Sequence, residues 1–333
     1  MSRMSGSLSW TAPMKPRRLP PLSPTPTSRV AVGVPVRNGA VFLERALRAI
    51  VGQTHRNLEI VISDNASTDR TAEIGAAFAR EDSRIRYIRQ PVAIPADYNF
   101  RFAFEQCDSD WFMWASHDDL RDANYVETLL SGFASHPRAP LTFTDTDVYS
   151  SHTRWSDPVP SVTEVSPIDG VPFPERHALV VANGAAQFYG LFRTEILRTY
   201  RWPRIPHGHD WLILHWAAAF GDIAYVPGST FQRYVPPVAR RPEEERAYHW
   251  LQGKSRLDAI RSLPNLRWAI RASRELALAR ATHGLETNRL ALIPMLSFLH
   301  HGGALAWAQQ FVYWNAPSRY RDAWRAVKHR PSA

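Results

Sequence analysis

From Arg29 onward the chain alternates apolar runs with short polar breaks. RVAVGVPV is β-branched and continuously apolar, the pattern of a strand covered on both faces. In AVFLERALRAIVGQ, Phe42, Leu43, Ala46, Leu47 and Ile50 recur with a helical period. LEIVIS (58–63) predicts a second strand and is followed by the polar turn DNASTD. Residues 71–80 read as a helix, 85–88 as a third strand, 96–106 as a helix and 111–115 as a fourth strand. A helix over 124–135 and a strand at LTFTDTDVY complete the pattern. Strands alternating with helices of this length predict right-handed β-α-β units and an α/β fold with a mainly parallel sheet. In such sheets ligands bind beyond the carboxyl ends of the strands. The polar clusters PVRN, DNASTD and SHDD follow the first, second and fourth strands, so all three fall on that edge.

The flanks differ from this centre. Residues 1–28 carry four basic and no acidic side chains and include PLSPTPTS, a composition that predicts a disordered leader rather than a signal peptide. Residues 247–333 carry thirteen basic and four acidic side chains, so the net charge of +9 belongs to the ends. In YRDAWRAVK, Tyr320, Trp324 and Val327 line one helical face while Arg321, Arg325 and Lys328 line the other. Arg267, Arg271 and Arg274 repeat the theme, which suits an anionic membrane surface as well as a solvated basic face. No nucleic-acid recognition motif accompanies this charge. Residues 290–318 lack charged side chains, but Pro294, His300, His301, Gly302 and Gly303 interrupt them, which argues against a membrane span. Cys107, the single cysteine, excludes an internal disulfide and fits a reducing compartment; it reads as a packing residue or a nucleophile.

The motifs narrow the chemistry. The turn after the first strand has no G-x-G-x-x-G and the chain has no Walker lysine motif, which disfavours dinucleotide and P-loop enzymes. MWASHDDL places Asp118 beside Asp119, and two adjacent carboxylates repel each other unless a cation lies near. HGHDWLILHWAAAF places Asp210 at a predicted helix start, where it reads either as an N-cap or as an active carboxylate. His207 and His209, with His117, raise a histidine metal centre of the HD-phosphohydrolase kind, which the parallel-strand start contradicts.

VAVGVPVRNGAVFLERALRAIVGQTHRNLEIVISDNASTDRT, RIRYIRQ and WFMWASHDD together resemble the nucleotide-sugar domain of family 2 glycosyltransferases, closely over residues 29–149 and more loosely to 234. The resemblance implies a GT-A-type fold, a Rossmann-like sheet flanked by helices. It implies that Pro35, Val36, Arg37, Asn38 and Asp64 hold the nucleoside of the donor, and a carboxylate at Asp64 suits the imide N–H of uracil. It further implies donor contacts from Asp97 and Asn99, and from Ser116 and His117, with Arg233 near the diphosphate. The family's aspartate-x-aspartate triplet aligns with Ser116-His117-Asp118, so its first carboxylate is here a serine. Asp118 is the implied metal ligand and Asp119 a second ligand or buttress, for Mg²⁺ or Mn²⁺ shared with substrate phosphates. Asp210 is the implied base of an inverting transfer.

The expectation is therefore a glycosyltransferase using a nucleoside-diphosphate sugar, UDP-linked for preference, with a polysaccharide or glycolipid acceptor. Its place would be the cytoplasm or the cytoplasmic face of a membrane. The expected organisation is a leader (1–28), a nucleotide-sugar half (29–150), an acceptor half (151–240) and a helical basic extension (241–333). A sugar-1-phosphate nucleotidyltransferase and a non-catalytic transferase-like subunit are the alternatives. The first lacks its glycine-rich basic loop, and the second draws support from Ser116.

Overall fold

The structure, a computed structural model, describes residues 19–149, 185–202 and 209–234. Expectations for 151–184 and for the basic region 241–333 lie outside the described residues, as do those for His207. The first half follows the predicted alternation: β1 (Val30–Val36), α1 (Leu43–Val51), β2 (Leu58–Asp64), α2 (Thr71–Glu81), β3 (Ile85–Arg89), α3 (Ala96–Glu105) and β4 (Trp111–Trp114). Next come β5 (Leu120–Arg121), α4 (Tyr125–Ser135), β6 (Leu141–Tyr149) and a 3₁₀ turn (Ala185–Tyr189). The last elements are β7 (Leu191–Arg193), α5 (Thr194–Thr199), α6 (His209–Phe220) and β8 (Ala224–Tyr234).

The strands form one eight-stranded sheet in the order β3-β2-β1-β4-β7-β6-β8-β5. β3, β2, β1 and β4 are parallel, β7 runs antiparallel between β4 and β6, and β8 is parallel to β6. Period-two alternation divides the core between the two faces. Trp111 and Met113 join Val30, Val32 and Val34 under α1 and α4, with Trp111 4.3 Å from Phe133. Phe112 and Trp114 point the other way into a cluster with Phe104, Phe192, Leu212 and Trp216. This two-sided burial explains why β1 and β2 are buried along their whole length.

Residues 19–28, composed like a disordered leader, are mostly exposed but are tied to the sheet domain at several points. Leu19 is buried, Leu22 N donates to Pro137 O (2.7 Å), and the buried Arg193 guanidinium donates to Pro20 O (2.8 Å). A buried cation and one apolar anchor supply what the local composition lacks. Among the described residues no helix is long and apolar enough to cross a membrane.

Candidate active site

The loops after β1 and β2 are joined by hydrogen bonds. Asn38, at φ +52°, donates its N–H to Ser67 Oγ (2.9 Å) and accepts Thr68 N–H on Oδ1 (2.8 Å). Gly39 N donates to Thr71 Oγ1 (2.8 Å), and Ala40 N to Asp69 Oδ2 (3.1 Å). Burial opposes the ionisation of Asp69, but hydrogen bonds from Thr71 and Ala40 outweigh it and hold the carboxyl below its usual range. Gly39 is required for closeness: a Cβ there would stand 2.6 Å from both His117 Cδ2 and Val36 Cγ2. The glycine thereby seats the His117 ring, and with it the SHDD loop, against the loop after β1.

Each residue expected at the nucleoside end has a definite place. Pro35 and Val36 are the buried last residues of β1, and Val36 O accepts Asn65 N–H (2.8 Å). The Arg37 and Asn38 side chains stand at the surface. Asp64 is 0% exposed: Oδ1 accepts Ser67 N–H (2.9 Å) and Oδ2 accepts the Tyr87 hydroxyl (2.5 Å). Burial, and then this bond to Asp64, drive the Tyr87 hydroxyl to remain protonated. Asn99 is likewise engaged, donating to Ser63 O (2.9 Å) and accepting Ser63 Oγ–H (2.6 Å), which pins α3 over the end of β2. Asp97 sits half-buried in the first turn of α3. Asn65 holds both N and O of Ile94 at 2.8 Å, tethering the loop that leads to α3.

The SHDD loop leaves β4 at the centre of the same edge. Ser116 Oγ donates to Asp118 Oδ1, so the serine orients the carboxylate beside it. Asp118 is half-buried, whereas Asp119 is 3% exposed and accepts Tyr234 N–H on Oδ1 (2.7 Å). Burial and then the charge of Asp118 push Asp119 up to about 7. The Tyr234 amide, Arg121 and Arg233 act in the opposite direction. Both arginines thus lie within electrostatic reach of Asp119. Arg121 is itself buried, with its guanidinium 5.1 Å from the Phe231 ring and 5.7 Å from the Tyr125 ring. Asp122 fixes the end of β8 by accepting Thr230 N–H (2.9 Å) and Gln232 Nε2–H (3.2 Å), and so carries Arg233 to this loop.

Tyr189 is half-buried near this loop. It ends the 3₁₀ turn, lies 5.2 Å from the Phe231 ring and accepts the Tyr125 hydroxyl on its carbonyl (3.1 Å). Burial raises its hydroxyl above the usual range, and Asp119, Arg233, Asp118 and Asp210 all lie within electrostatic reach of it. The aspartate in the first turn of α6 thus lies within electrostatic range of the same hydroxyl as the acidic loop and the arginine of β8. In the sequence QFYGLFRTEIL looks like the segment that leads to the family's acceptor site, and the long-range pairing of β6, β7 and β8 adds where Tyr189 lies within the fold.

Among the described residues no group of three or more His, Cys, Asp and Glu side chains could hold a metal ion. Two carboxylates of hard oxygen, one partly open, fit a divalent ion that takes its remaining ligands from phosphates and water. His209 is buried and bonded through Nδ1 to the Tyr200 hydroxyl (3.0 Å), which removes that ring nitrogen from a histidine metal centre. Burial, followed by Glu59, raises the Cys107 thiol to about 12, and its Sγ–H donates to Ala103 O (3.3 Å); it is a packing residue.

The mixed sheet with its flanking helices is shared with known proteins. Over 89% of this chain and 77% of that one, the structure superposes on S. aureus TarS 1–349 with a TM-score of 0.61 at 13% identity. TarS 1–349 in complex with UDP-GlcNAc superposes over 76% of this chain and 73% of that one, with a TM-score of 0.52 at 12% identity. Glycosyltransferase GlyA of Streptococcus pneumoniae serotype 4 is 35% identical over 102 residues, 30% of this chain and 14% of that protein. GlyG of the same organism is 30% identical over 100 residues, 30% of this chain and 33% of that protein. The chain thus matches a third or less of these relatives' length. The family described as "Glycosyl transferase family 2" matches residues 31–201, half of the chain, and the chain belongs to it.

Proposed function

We propose that the protein is an inverting glycosyltransferase that moves a sugar from a nucleoside-diphosphate donor to a carbohydrate or glycolipid acceptor. The observation that supports this reading best is the acidic pair Asp118-Asp119 at the end of β4, on the edge where the loops after β1 and β2 are hydrogen-bonded together, in a chain of this family. In the proposed reaction Asp210 takes the proton of the acceptor hydroxyl as its oxygen attacks the anomeric carbon. The bond from that carbon to the diphosphate breaks, and the diphosphate leaves with the bonding electrons. Arg233 offers positive charge on that side. Asp118, oriented by Ser116 and supported by the buried Asp119, would hold Mg²⁺ or Mn²⁺. When bound, such an ion supplies Lewis-acid stabilisation of the leaving diphosphate.

At the nucleoside end, Arg37 and Asn38 border the open surface, and Asp64 shapes the turn from beneath. UDP is the first donor to test, following the TarS complex with UDP-GlcNAc. Thermal-shift measurement with UDP, GDP and dTDP, each with and without Mn²⁺, is expected to show metal-dependent stabilisation by one of them. Stabilisation by none would remove the donor site from this edge. Asp210→Asn is expected to lower transfer on the order of 10²–10⁴-fold while preserving that stabilisation. Retained turnover would reassign Asp210 to capping α6.

A further inference from the structure

Among the described residues, the non-glycine positions with positive φ are Asn38 (+52°), Ala66 (+51°) and Trp202 (+49°). The first two belong to the joined loops and have local hydrogen bonds that account for them: Asn38 with Ser67 and Thr68, and Ala66 N to Asp64 O (2.9 Å). Trp202 is a different case. A left-handed backbone crowds its Cβ, and such strain persists only where the surroundings over-determine it.

Those surroundings are three rings. Trp202 lies 6.2 Å from Trp114 at 78°, 5.3 Å from Tyr200 at 69°, and 5.5 Å from His209 at 34°. Trp114 ends β4, two residues before Ser116, and His209 directly precedes Asp210. The strained residue therefore connects the strand bearing the acidic loop with the helix bearing Asp210. Its three neighbours are buried, whereas Trp202 itself is only half-buried. The indole N–H groups of Trp114 and Trp216 are bound, to Phe100 O (3.0 Å) and Thr199 Oγ1 (2.9 Å). That of Trp202 has no partner among the described residues. A half-buried indole whose N–H has no partner among the described residues can meet a pyranose, which presents C–H groups to an aromatic face and hydroxyls to an N–H.

We infer that Trp202 determines acceptor specificity: a saccharide unit of the acceptor packs on its exposed indole surface and accepts a hydrogen bond from Nε1, presenting a hydroxyl to Asp210. The inference rests on Asp210 being the base. In the proposed function the donor's nucleoside lies at the loops after β1 and β2, whereas Trp202 contacts the end of β4 and the start of α6.

The test uses the full chain and two independent readouts. Saturation-transfer NMR with methyl β-glycosides of glucose, galactose and N-acetylglucosamine reports sugar contact, and thermal shift with UDP and Mn²⁺ reports the donor site. At least one glycoside is expected to contact the wild-type protein. Trp202→Leu should weaken that glycoside about tenfold and Trp202→Phe less, both with an unchanged UDP response. Undiminished sugar contact in Trp202→Leu, or no glycoside contact in the wild type, would overturn the platform. Joint loss of sugar contact and UDP response in both variants would also overturn it, because Trp202 would then be holding the fold. A wild-type protein that binds a glycoside but no nucleoside diphosphate would sink the donor reading while leaving the platform standing.

Discussion

At Asp64 each carboxylate oxygen has one donor and no access to water, so the residue depends on Tyr87 as much as on its own loop. Tyr87→Phe keeps the ring but leaves Oδ2 buried without its donor. The expected loss is about 1–3 kcal/mol of unfolding free energy, read from urea denaturation at an unchanged m-value. A variant as stable as the wild type would mean that Asp64 turns outward and is free to meet a nucleobase directly. Cys107 supports an equally definite expectation. A thiol raised to about 12 and bonded to Ala103 O carries little thiolate at pH 8. A disulfide reagent such as DTNB should therefore label it only after unfolding, and prompt labelling of the native protein would restore it as a candidate nucleophile.

At the scale of elements, the loops after β1, β2 and β4 form one assembly, and Gly39 is its closest contact. Gly39→Ala inserts a methyl group 2.6 Å from His117 and Val36, so the ring beside the two aspartates has to move. The expected result is loss of the metal-dependent nucleotide response at a melting temperature only a few degrees lower. An intact response would separate the acidic loop from the loop after β1. The same elements show what the sequence discloses. β1 to β4 are legible because each is an apolar run between turns, and the acidic pair is legible because it ends such a run. β7 is three residues long and β8 contains Pro227 and Gly228, so both read locally as turns. β8 nevertheless continues past that break through pairing with β6, shifting register between Phe143 and Asp145. Arg233 and Tyr189 come within electrostatic reach of the acidic loop through this non-local part. Arg233 is implied by the resemblance, and QFYGLFRTEIL, which holds Tyr189, looks like the segment leading to the acceptor site, while Trp202 carries no local signal that separates it from core.

At the scale of the whole molecule, the sheet has two cores, and the one beneath α6 encloses an ionisable group. His215 is 0% exposed, and burial lowers it from the usual 6.5 to about 4. The folded state then binds this proton less readily than the unfolded chain does. Its contribution to stability is full above pH 6.5 and is lost as pH falls toward 4, by about 3 kcal/mol from the linkage of a shift of this size. Asp119 works in the opposite direction over nearly the same range. Raised to about 7, it favours the folded state below its ordinary value of 3.8, and that contribution is lost as pH rises through 7. The wild-type profile between pH 4 and 6.5 is therefore a compensated one, flatter than either group alone would give. His215→Gln removes one side of the balance. In EDTA, which keeps metal away from Asp119, the stability of wild type minus variant should rise by about 3 kcal/mol between pH 4 and 6.5. A difference that stays constant with pH would mean that His215 is protonated in the folded protein, with a buried partner able to hold its charge.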